Sequence, residues 1–208
     1  MNPRRPSTDR AAVLEAALAL LDEDGLEALT MRRLGARLGV DPMTVYRYVP
    51  GRGALLDAIA ETVWAEAATS ADTPSPSWRE EIARVSRGLR AALLRRPAAA
   101  VLVATRPVAT PAQLALAERT VAALVAGGLD PAEAMRLLDI TVAYTTGKVL
   151  GELRAPTDAE GTDPRAARER LDAAGLPHLA RALADGYDWA PEREFAEGLR
   201  ALIAGWGR

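Results

Sequence analysis

The amino-acid sequence predicts an all-α fold. Apolar residues recur at helical spacing along most of the 208 residues, and no segment shows the apolar–polar alternation of a half-buried strand. Proline and glycine lie where the apolar periods begin and end, as they do at helix boundaries. Together these observations indicate a short N-terminal three-helix unit, joined by a long helix to a larger helical unit.

Three helices are predicted within the first 53 residues. The first ends at Gly25, which suits a helix C-terminus. Thr30 is positioned to cap a short second helix. Asp41 caps the third, with Pro42 at the first helical position, where a missing N–H costs nothing. The apolar residues that we expect to face the shared core are Val13, Ala17, Leu20, Leu21, Met31, Leu34, Leu38, Val45 and Val49.

The chain from residue 54 onward predicts the larger unit. A helix over 54–69 leads out of the first unit, and the polar, proline-rich stretch TSADTPSPS (69–77) interrupts the pattern. We therefore place the domains at 1–53 and 54–208. Further helical periods cover residues 78–95, 97–104, 110–127, 131–154, 164–174, 177–186 and 191–206.

Composition excludes several classes of protein. There are 26 basic and 28 acidic side chains, a net charge of −2, and there is no cysteine; the chain is not polycationic overall, and disulfides are excluded. The N-terminus MNPRRPSTDR has no apolar run behind its charges, so it does not read as a signal peptide. The longest uncharged stretch has 11 residues (107–117), too short to span a bilayer. We expect a soluble, cytoplasmic protein without a membrane partner.

The second and third helices combine a tight turn with local positive charge. Val45 and Val49 can pack the third helix onto the first, which leaves its polar side chains outside. Residues 30–53 contain five arginines and one acid, Asp41, a local net charge of +4. Such an arrangement fits a helix-turn-helix that places its second helix in the DNA major groove. The alternative is an ordinary helical hairpin with a solvated polar face.

The same residues carry a family resemblance. LTMRRLGARLGVDPMTVYRYVPGRGALLDAIA (29–60) resembles the DNA-binding region of the tetracycline-repressor (TetR) family of bacterial transcription regulators. The resemblance implies a double-stranded DNA operator as partner. It places Thr30 and Arg32 at operator contacts from the second helix, and Arg52 at a phosphate contact after the third. The residues that it places on the recognition helix are Pro42, Met43, Thr44, Tyr46, Arg47 and Tyr48.

The rest of the chain resembles the branch of the family that contains the tetracycline repressor itself. ATRPVATPAQ (104–113) is similar to the segment that lines the drug pocket there, and FAEGLRALIAGW (195–206) to the closing helix of a dimer bundle. That branch holds a drug–magnesium complex through histidines, whereas Ala68 and Leu102 stand at the aligned positions. We therefore expect neither tetracycline nor a metal, and no cofactor.

Two apolar stripes predict a homodimer. Ala143, Gly147 and Gly151 recur every four residues, and each interior glycine costs about 1 kcal/mol relative to alanine, which indicates closely approaching backbones. Two such helices in each subunit could form an intersubunit bundle; burial of both stripes within one monomeric core is the alternative. The last helix contributes Phe195, Leu199, Leu202 and Trp206.

A ligand pocket is expected beside the helix that begins at residue 54. A mostly apolar lining would suit a small hydrophobic effector, with Thr105 or Arg106 fixing an oxygen. The predicted lining is Trp64, Leu89, Leu102, Thr105, Arg106, Pro107, Met135, Leu138, Thr141 and Val142.

The function predicted from these features is that of a ligand-responsive transcriptional repressor. With one histidine, no cysteine and no glycine-rich phosphate loop, the chain does not suggest an enzyme. A ligand-independent or activating regulator is the first alternative. A helical adaptor that does not bind DNA is the second.

Overall fold

A computed structural model describes residues 8–68, 75–106, 108, 110–153, 164–187 and 190–206. Within these residues every regular element is helical, which confirms the predicted all-α fold. Short 3-10 turns cover Leu26–Ala28 and Pro97–Ala99. The α-helices are α1 (Arg10–Asp24), α2 (Met31–Leu38), α3 (Pro42–Tyr48), α4 (Arg52–Ala68), α5 (Trp78–Arg95), α6 (Ala100–Thr105), α7 (Pro111–Ala126), α8 (Pro131–Glu152), α9 (Pro164–Ala173), α10 (Pro177–Ala184) and α11 (Pro191–Gly205).

The predicted caps form in the first three helices. The Thr30 hydroxyl accepts a hydrogen bond from the Arg33 backbone N–H at 3.2 Å, and the Asp41 carboxylate accepts one from the Met43 N–H at 2.8 Å. Both satisfy N–H groups that a helix leaves without intrahelical partners. Gly25 follows α1 with φ 77°, a backbone conformation that favours glycine. Local sequence therefore determines where these short helices begin and end.

The turn between α2 and α3 requires a glycine within α2. A Cβ atom at Gly35 would lie 2.9 Å from the Val40 carbonyl oxygen and 3.2 Å from the Pro42 nitrogen, closer than side-chain carbons pack. Val45 and Val49 are buried on the inner side of this turn, as predicted. The close approach of α3 to α2 fixes which side of α3 remains outside.

Helix α4 connects the three-helix unit to the rest of the molecule through a continuous apolar core. One cluster includes Val13 of α1, Ile59 and Val63 of α4, Leu89 of α5 and Val149 of α8. A second cluster joins α5, α7, α8 and α11. Helix α4 is buried along one face and packs along α5.

One predicted helix divides in the structure. The stretch 97–104 begins as the 3-10 turn Pro97–Ala99 and continues as α6. Arg96 precedes it with φ −130° and ψ 69°, outside the helical region, because a residue before proline is driven from that region by the proline ring. None of the helices in the described part of the chain combines the length and the apolar character that crossing a membrane requires.

Candidate nucleic-acid interface and ligand cavity

The outer side of the helix-turn-helix exposes most of the residues predicted to contact DNA. On α3, Met43 is 70% exposed and Tyr46 is 42% exposed, with Arg47 exposed beside them. Thr30 and Arg32 are exposed at the start of α2. The half-buried members of the predicted set are Pro42, Thr44 and Tyr48.

The arginines of this region divide into two groups. Arg33 forms an ion pair with Asp24, and Arg37 forms one with Glu23 at 2.6 Å. The hydrogen bond from Arg37 lowers the pKa of Glu23. Within the described residues Arg32 and Arg47 have no acidic partner, and the Arg47 guanidinium lies 6.0 Å from the centre of the Tyr48 ring. Among the arginines of residues 30–53, the charge that no acid of the described residues neutralises therefore lies at Arg32, Arg47 and Arg52.

Arg52, predicted to contact phosphate, also has an intramolecular role. Its Nε donates to the Leu29 carbonyl oxygen at 3.1 Å and its Nη2 to the Leu26 carbonyl oxygen at 3.2 Å. These bonds join the first turn of α4 to the turn that follows α1. The side chain remains exposed, so its assignment to phosphate stays a prediction.

A cavity of about 480 Å³ lies against the C-terminal half of α4, between α5, α6, α7 and α8. Its wall is mostly apolar, and its volume is within the range usual for small-molecule sites. Four of the predicted lining residues do line it, namely Trp64, Met135, Leu138 and Val142.

The other predicted lining residues that the structure describes do not line this cavity. Leu89 and Leu102 are 0% and 2% exposed and belong to the apolar core instead of the cavity wall. The hydroxyl groups of Thr105 and Thr141 donate to carbonyl oxygens of their own helices, Thr105 to Val101 at 2.7 Å and Thr141 to Leu137 at 2.9 Å. Pro107 lies outside the described residues.

Arg106 is also absent from the cavity wall. Its Nε donates to Asp57 Oδ1 at 2.9 Å, and its Nη2 donates to the Gly53 carbonyl oxygen at 3.3 Å. Asp57 of α4 therefore binds the Arg106 guanidinium, which was predicted to fix an effector oxygen. This contact ties the C-terminus of α6 to the first turns of α4.

The cavity also has buried polar lining residues that were not predicted from the sequence. Gln113, Thr120 and Thr146 are each at least 95% buried. A signal for Thr146 was present, because Leu138, Val142 and Thr146 follow one another at four-residue spacing along α8. For Gln113 the signal was the TPAQ sequence, since Gln113 completes a capping box with Thr110 at the start of α7.

A larger groove, about 630 Å³, runs between α5 and α11. Two of its arginines are already engaged: Arg87 pairs with Glu80, and Arg90 pairs with Glu152 at 2.8 Å. No residue of α4 lines it. Because the smaller cavity includes Trp64 of α4, it is better placed to influence the helix-turn-helix.

The residues predicted for a dimer interface also divide. Ala143 and Gly147 are exposed on α8, and a Cβ atom at Gly147 or Gly151 would meet nothing within 4 Å. Phe195 and Leu199 are each 3% exposed within the single chain, and Phe195 stacks on Tyr144 with ring centres 5.8 Å apart. Within the single chain α11 turns them inward, and their assignment to an interface stays a prediction. Leu202 and Trp206 are half-buried.

Comparison with known proteins agrees with this geometry. Residues 13–59 match the family described as bacterial regulatory proteins, tetR family, and residues 70–207 match the tetracyclin repressor-like C-terminal domain. An HTH-type transcriptional regulator of Saccharopolyspora erythraea is 34% identical, covering 97% of this chain and 85% of its own length. The class A tetracycline repressor from transposon 1721 of Escherichia coli is 34% identical, covering 99% and 91%.

Solved structures give the same result. A possible TetR family transcriptional regulator from Streptomyces coelicolor A3(2) is 35% identical with a TM-score of 0.78, covering 95% of this chain and 98% of its own. The S. coelicolor protein ActR in complex with actinorhodin is 28% identical with a TM-score of 0.80, covering 96% and 95%. The chain therefore belongs to the TetR family of bacterial transcriptional regulators, which bind DNA through a helix-turn-helix.

Proposed function

We propose that the protein is a homodimeric repressor that leaves its operator when a small apolar molecule fills the cavity against α4. The observation that carries the proposal is the position of α4. Its first turns adjoin the exposed helix-turn-helix, and Trp64 near its other end forms part of the cavity wall. Helix α4 thus connects the exposed helix-turn-helix surface, which suits DNA, to the cavity, which suits a small ligand.

The proposed DNA contacts follow from exposure and charge. Arg32 and Arg47 are the candidates for base edges, because a guanidinium can make two hydrogen bonds to guanine in the major groove. Met43, 70% exposed, suits contact with a thymine methyl group. Thr30, Thr44, Tyr46, Tyr48 and Arg52 would contact the backbone around these positions.

The proposed dimer determines the form of the operator. A two-fold symmetric dimer binds a pseudo-palindrome whose half-sites lie about 34–36 Å apart or slightly more. The exposed small residues Ala143 and Gly147, with Gly151, allow the α8 helices of two subunits to approach closely. Leucine at Gly147 should obstruct that approach and shift sedimentation from dimer to monomer. A Gly147→Leu variant that sediments as a dimer would place the interface elsewhere.

The proposed control by a ligand rests on the cavity and on its two connections to α4. Trp64 forms part of the wall, and Arg106 links the end of α6 to Asp57 and Gly53. A ligand that binds better to one arrangement of these contacts increases the population of that arrangement. The position of the helix-turn-helix relative to the cavity would change with it. Structural neighbours bound to actinorhodin and to minocycline support a small organic molecule as the effector.

Operator selection from random duplexes, followed by fluorescence anisotropy, tests the proposal. We expect salt-dependent binding to a pseudo-palindrome, and release by compounds that raise the melting temperature in a ligand screen. Release should survive a metal chelator, because the chain has one histidine and no cysteine from which to build a soft-ligand metal site.

Other outcomes would select the alternatives. Operator binding that no stabilising ligand changes would indicate ligand-independent regulation. A ligand that tightens binding and raises transcription would indicate an activator. Absence of salt-dependent DNA binding would favour the adaptor and overturn the proposal.

A further inference from the structure

We infer that the cavity against α4 selects an uncharged, mainly apolar molecule and holds its oxygen through the Thr146 hydroxyl. The inference rests on the proposed function, since it concerns the effector of that cavity. It adds the charge class of the ligand and a specificity residue.

The charge of the cavity wall supports the first part. Of the described residues that line it, Asp139 is the one charged residue, and it is exposed at the edge. An anionic group entering the cavity would lose its hydration and find no cationic partner among these residues. It would also be repelled by the Asp139 carboxylate at the edge. Such uncompensated burial of charge is strongly unfavourable. A cationic group would meet the Asp139 carboxylate only at the exposed edge and would lose its hydration deeper in the cavity. An uncharged ligand avoids both costs.

The buried threonines beside the cavity support the second part. The Thr145 hydroxyl donates to the Thr141 carbonyl oxygen at 2.7 Å, and the Thr120 hydroxyl donates to Leu116 at 3.0 Å. Thr146, although 4% exposed, has no hydrogen-bond partner for its hydroxyl within the described residues. A buried hydroxyl without a partner is costly.

The conformational freedom of threonine makes this hydroxyl usable by a ligand. A helical threonine populates two χ1 rotamers, because its hydroxyl can bond to a carbonyl of the preceding turn or point away from it. One rotation about Cα–Cβ therefore changes the direction of the Thr146 hydroxyl at the cavity wall. A ligand carbonyl or ether oxygen would supply the missing acceptor.

The third polar side chain of the wall is already held in place. The Gln113 side-chain oxygen accepts from the Thr110 backbone N–H at 3.1 Å, within the capping box of α7. Its position is therefore set by the helix start, whereas Thr146 has no such constraint. This difference makes Thr146 the residue through which hydrogen bonding distinguishes between ligands of equal shape.

Two matched dyes test the charge class on the 208-residue chain. N-phenyl-1-naphthylamine is uncharged, and 1-anilinonaphthalene-8-sulfonate has the same aromatic frame with a sulfonate. We expect the uncharged dye to bind at least about tenfold more tightly, a difference of about 1.4 kcal/mol. Ala117→Phe, at a half-buried position of the wall, should abolish its binding. Sulfonate binding that matches the uncharged dye and is lost in Ala117→Phe would overturn the inference.

A second matched pair tests Thr146. The tricycles 9-fluorenone and fluorene differ by one carbonyl oxygen, and each can be titrated by displacement of the uncharged dye. Thr146→Val should weaken fluorenone binding about 3- to 10-fold, the effect of one hydrogen bond, and leave fluorene binding unchanged. Thr146→Ser should keep the preference for fluorenone. Thr145→Val is the control, because that hydroxyl is satisfied within α8, and it should change neither ligand.

The melting temperatures of the variants provide a readout without ligand. Replacing an unpartnered hydroxyl with a methyl group should leave the melting temperature of Thr146→Val equal or higher, whereas Thr145→Val should melt lower. Fluorenone affinity that is the same in Thr146→Val and the parent, or failure of all four compounds to bind, would overturn the inference. Operator binding in the absence of ligand, measured on the same preparations, would separate that failure from failure of the proposed function.

Discussion

The helix-turn-helix and the helical body differ in how two conspicuous pairs of arginines are held. In the body, some arginines join neighbouring helices. Arg90 of α5 pairs with Glu152 of α8 at 2.8 Å, and the two side chains are 16% and 7% exposed. Arg96 pairs with Glu66 of α4 at 2.8 Å. In the helix-turn-helix, Arg32 and Arg47 are exposed and have no acidic partner within the described residues.

The difference teaches that local charge alone does not identify a DNA-binding surface. Five arginines lie in residues 30–53, but Arg33 and Arg37 are paired with acids of α1, and Arg52 donates to backbone carbonyls. Whether an arginine binds a partner or stabilises the fold depends on the acid that the adjacent helix presents. Substitutions of paired and of unpaired arginines test whether this difference in pairing separates the two roles.

The largest effect is expected when a half-buried arginine of the body, paired with a buried acid, is removed. Arg90→Leu would leave the Glu152 carboxylate buried without its partner and remove the cation beside the Phe195 ring, 5.2 Å away. The free energy of unfolding, measured in urea, should fall by about 3 kcal/mol. Arg90→Leu combined with Glu152→Leu should recover part of the loss. A decrease in the free energy of unfolding of less than about 1 kcal/mol, the size expected for an exposed ion pair, would show that this pair does not hold the body together.

The next effect concerns DNA affinity without a change of stability. Arg47→Ala and Arg32→Ala should each lose about 1–3 kcal/mol of operator binding if they contact base edges, with little loss on a scrambled duplex. Arg33→Ala is the matched control, because Arg33 is an exposed arginine of the same helix as Arg32 and is paired with Asp24. Anisotropy on both duplexes measures these affinities. Equal losses of operator affinity from all three variants would show that pairing with an acid does not decide which arginines contact DNA.

Much of the fold was predictable because it is encoded locally. The predicted helix over 78–95 matches α5, Trp78–Arg95, and the capping roles of Thr30 and Asp41 are those that the structure shows. Caps, proline positions and apolar periods act over a few residues, so one sequence is enough to read them. Contacts that act across the chain were harder to predict. Gly35, for example, is required by Val40 and Pro42.

The candidate cavity was predicted only in part for the same reason. The spacing of Met135, Leu138 and Val142 revealed the face of α8 that lines it. The sequence alone could not show that Asp57 holds Arg106, since the two residues are 49 positions apart. Nor could an apolar stripe show that Phe195 and Leu199 face Tyr144 and the core of the same subunit.

A smaller effect is expected at the link between the cavity and α4. Arg106→Ala should keep operator affinity nearly unchanged in the absence of ligand, and should need about fivefold more ligand for release, near the lower end of allosteric coupling energies. Arg95→Ala is the control, because Arg95 also pairs with an acid of α4, Glu66 at 3.0 Å. It lies far along α5 from the cavity wall, whereas Arg106 closely follows the wall residues Val103 and Ala104 of α6. Titration of operator release measures both. Equal responses of Arg106→Ala and the parent would show that coupling bypasses this contact.

The smallest effect is the pH dependence of the ion pairs around Glu66. Burial raises the pKa of Glu66, but hydrogen bonds from Arg96 and Arg95 outweigh it and lower the pKa below 4.5. A lowered folded-state pKa stabilises the fold above the unfolded value, and this contribution disappears as the pH falls through the folded-state pKa. The parent should therefore exceed Glu66→Gln in free energy of unfolding by up to about 1 kcal/mol at pH 7, and the difference should shrink on acidification below pH 4.5. Urea unfolding across this range measures it. In a background carrying Arg95→Gln and Arg96→Gln the advantage of the parent over Glu66→Gln at pH 7 should disappear or change sign, because the bonds that lower the pKa are gone while burial still raises it. A difference that persists unchanged into acid would show that these arginines do not favour the ionised carboxylate.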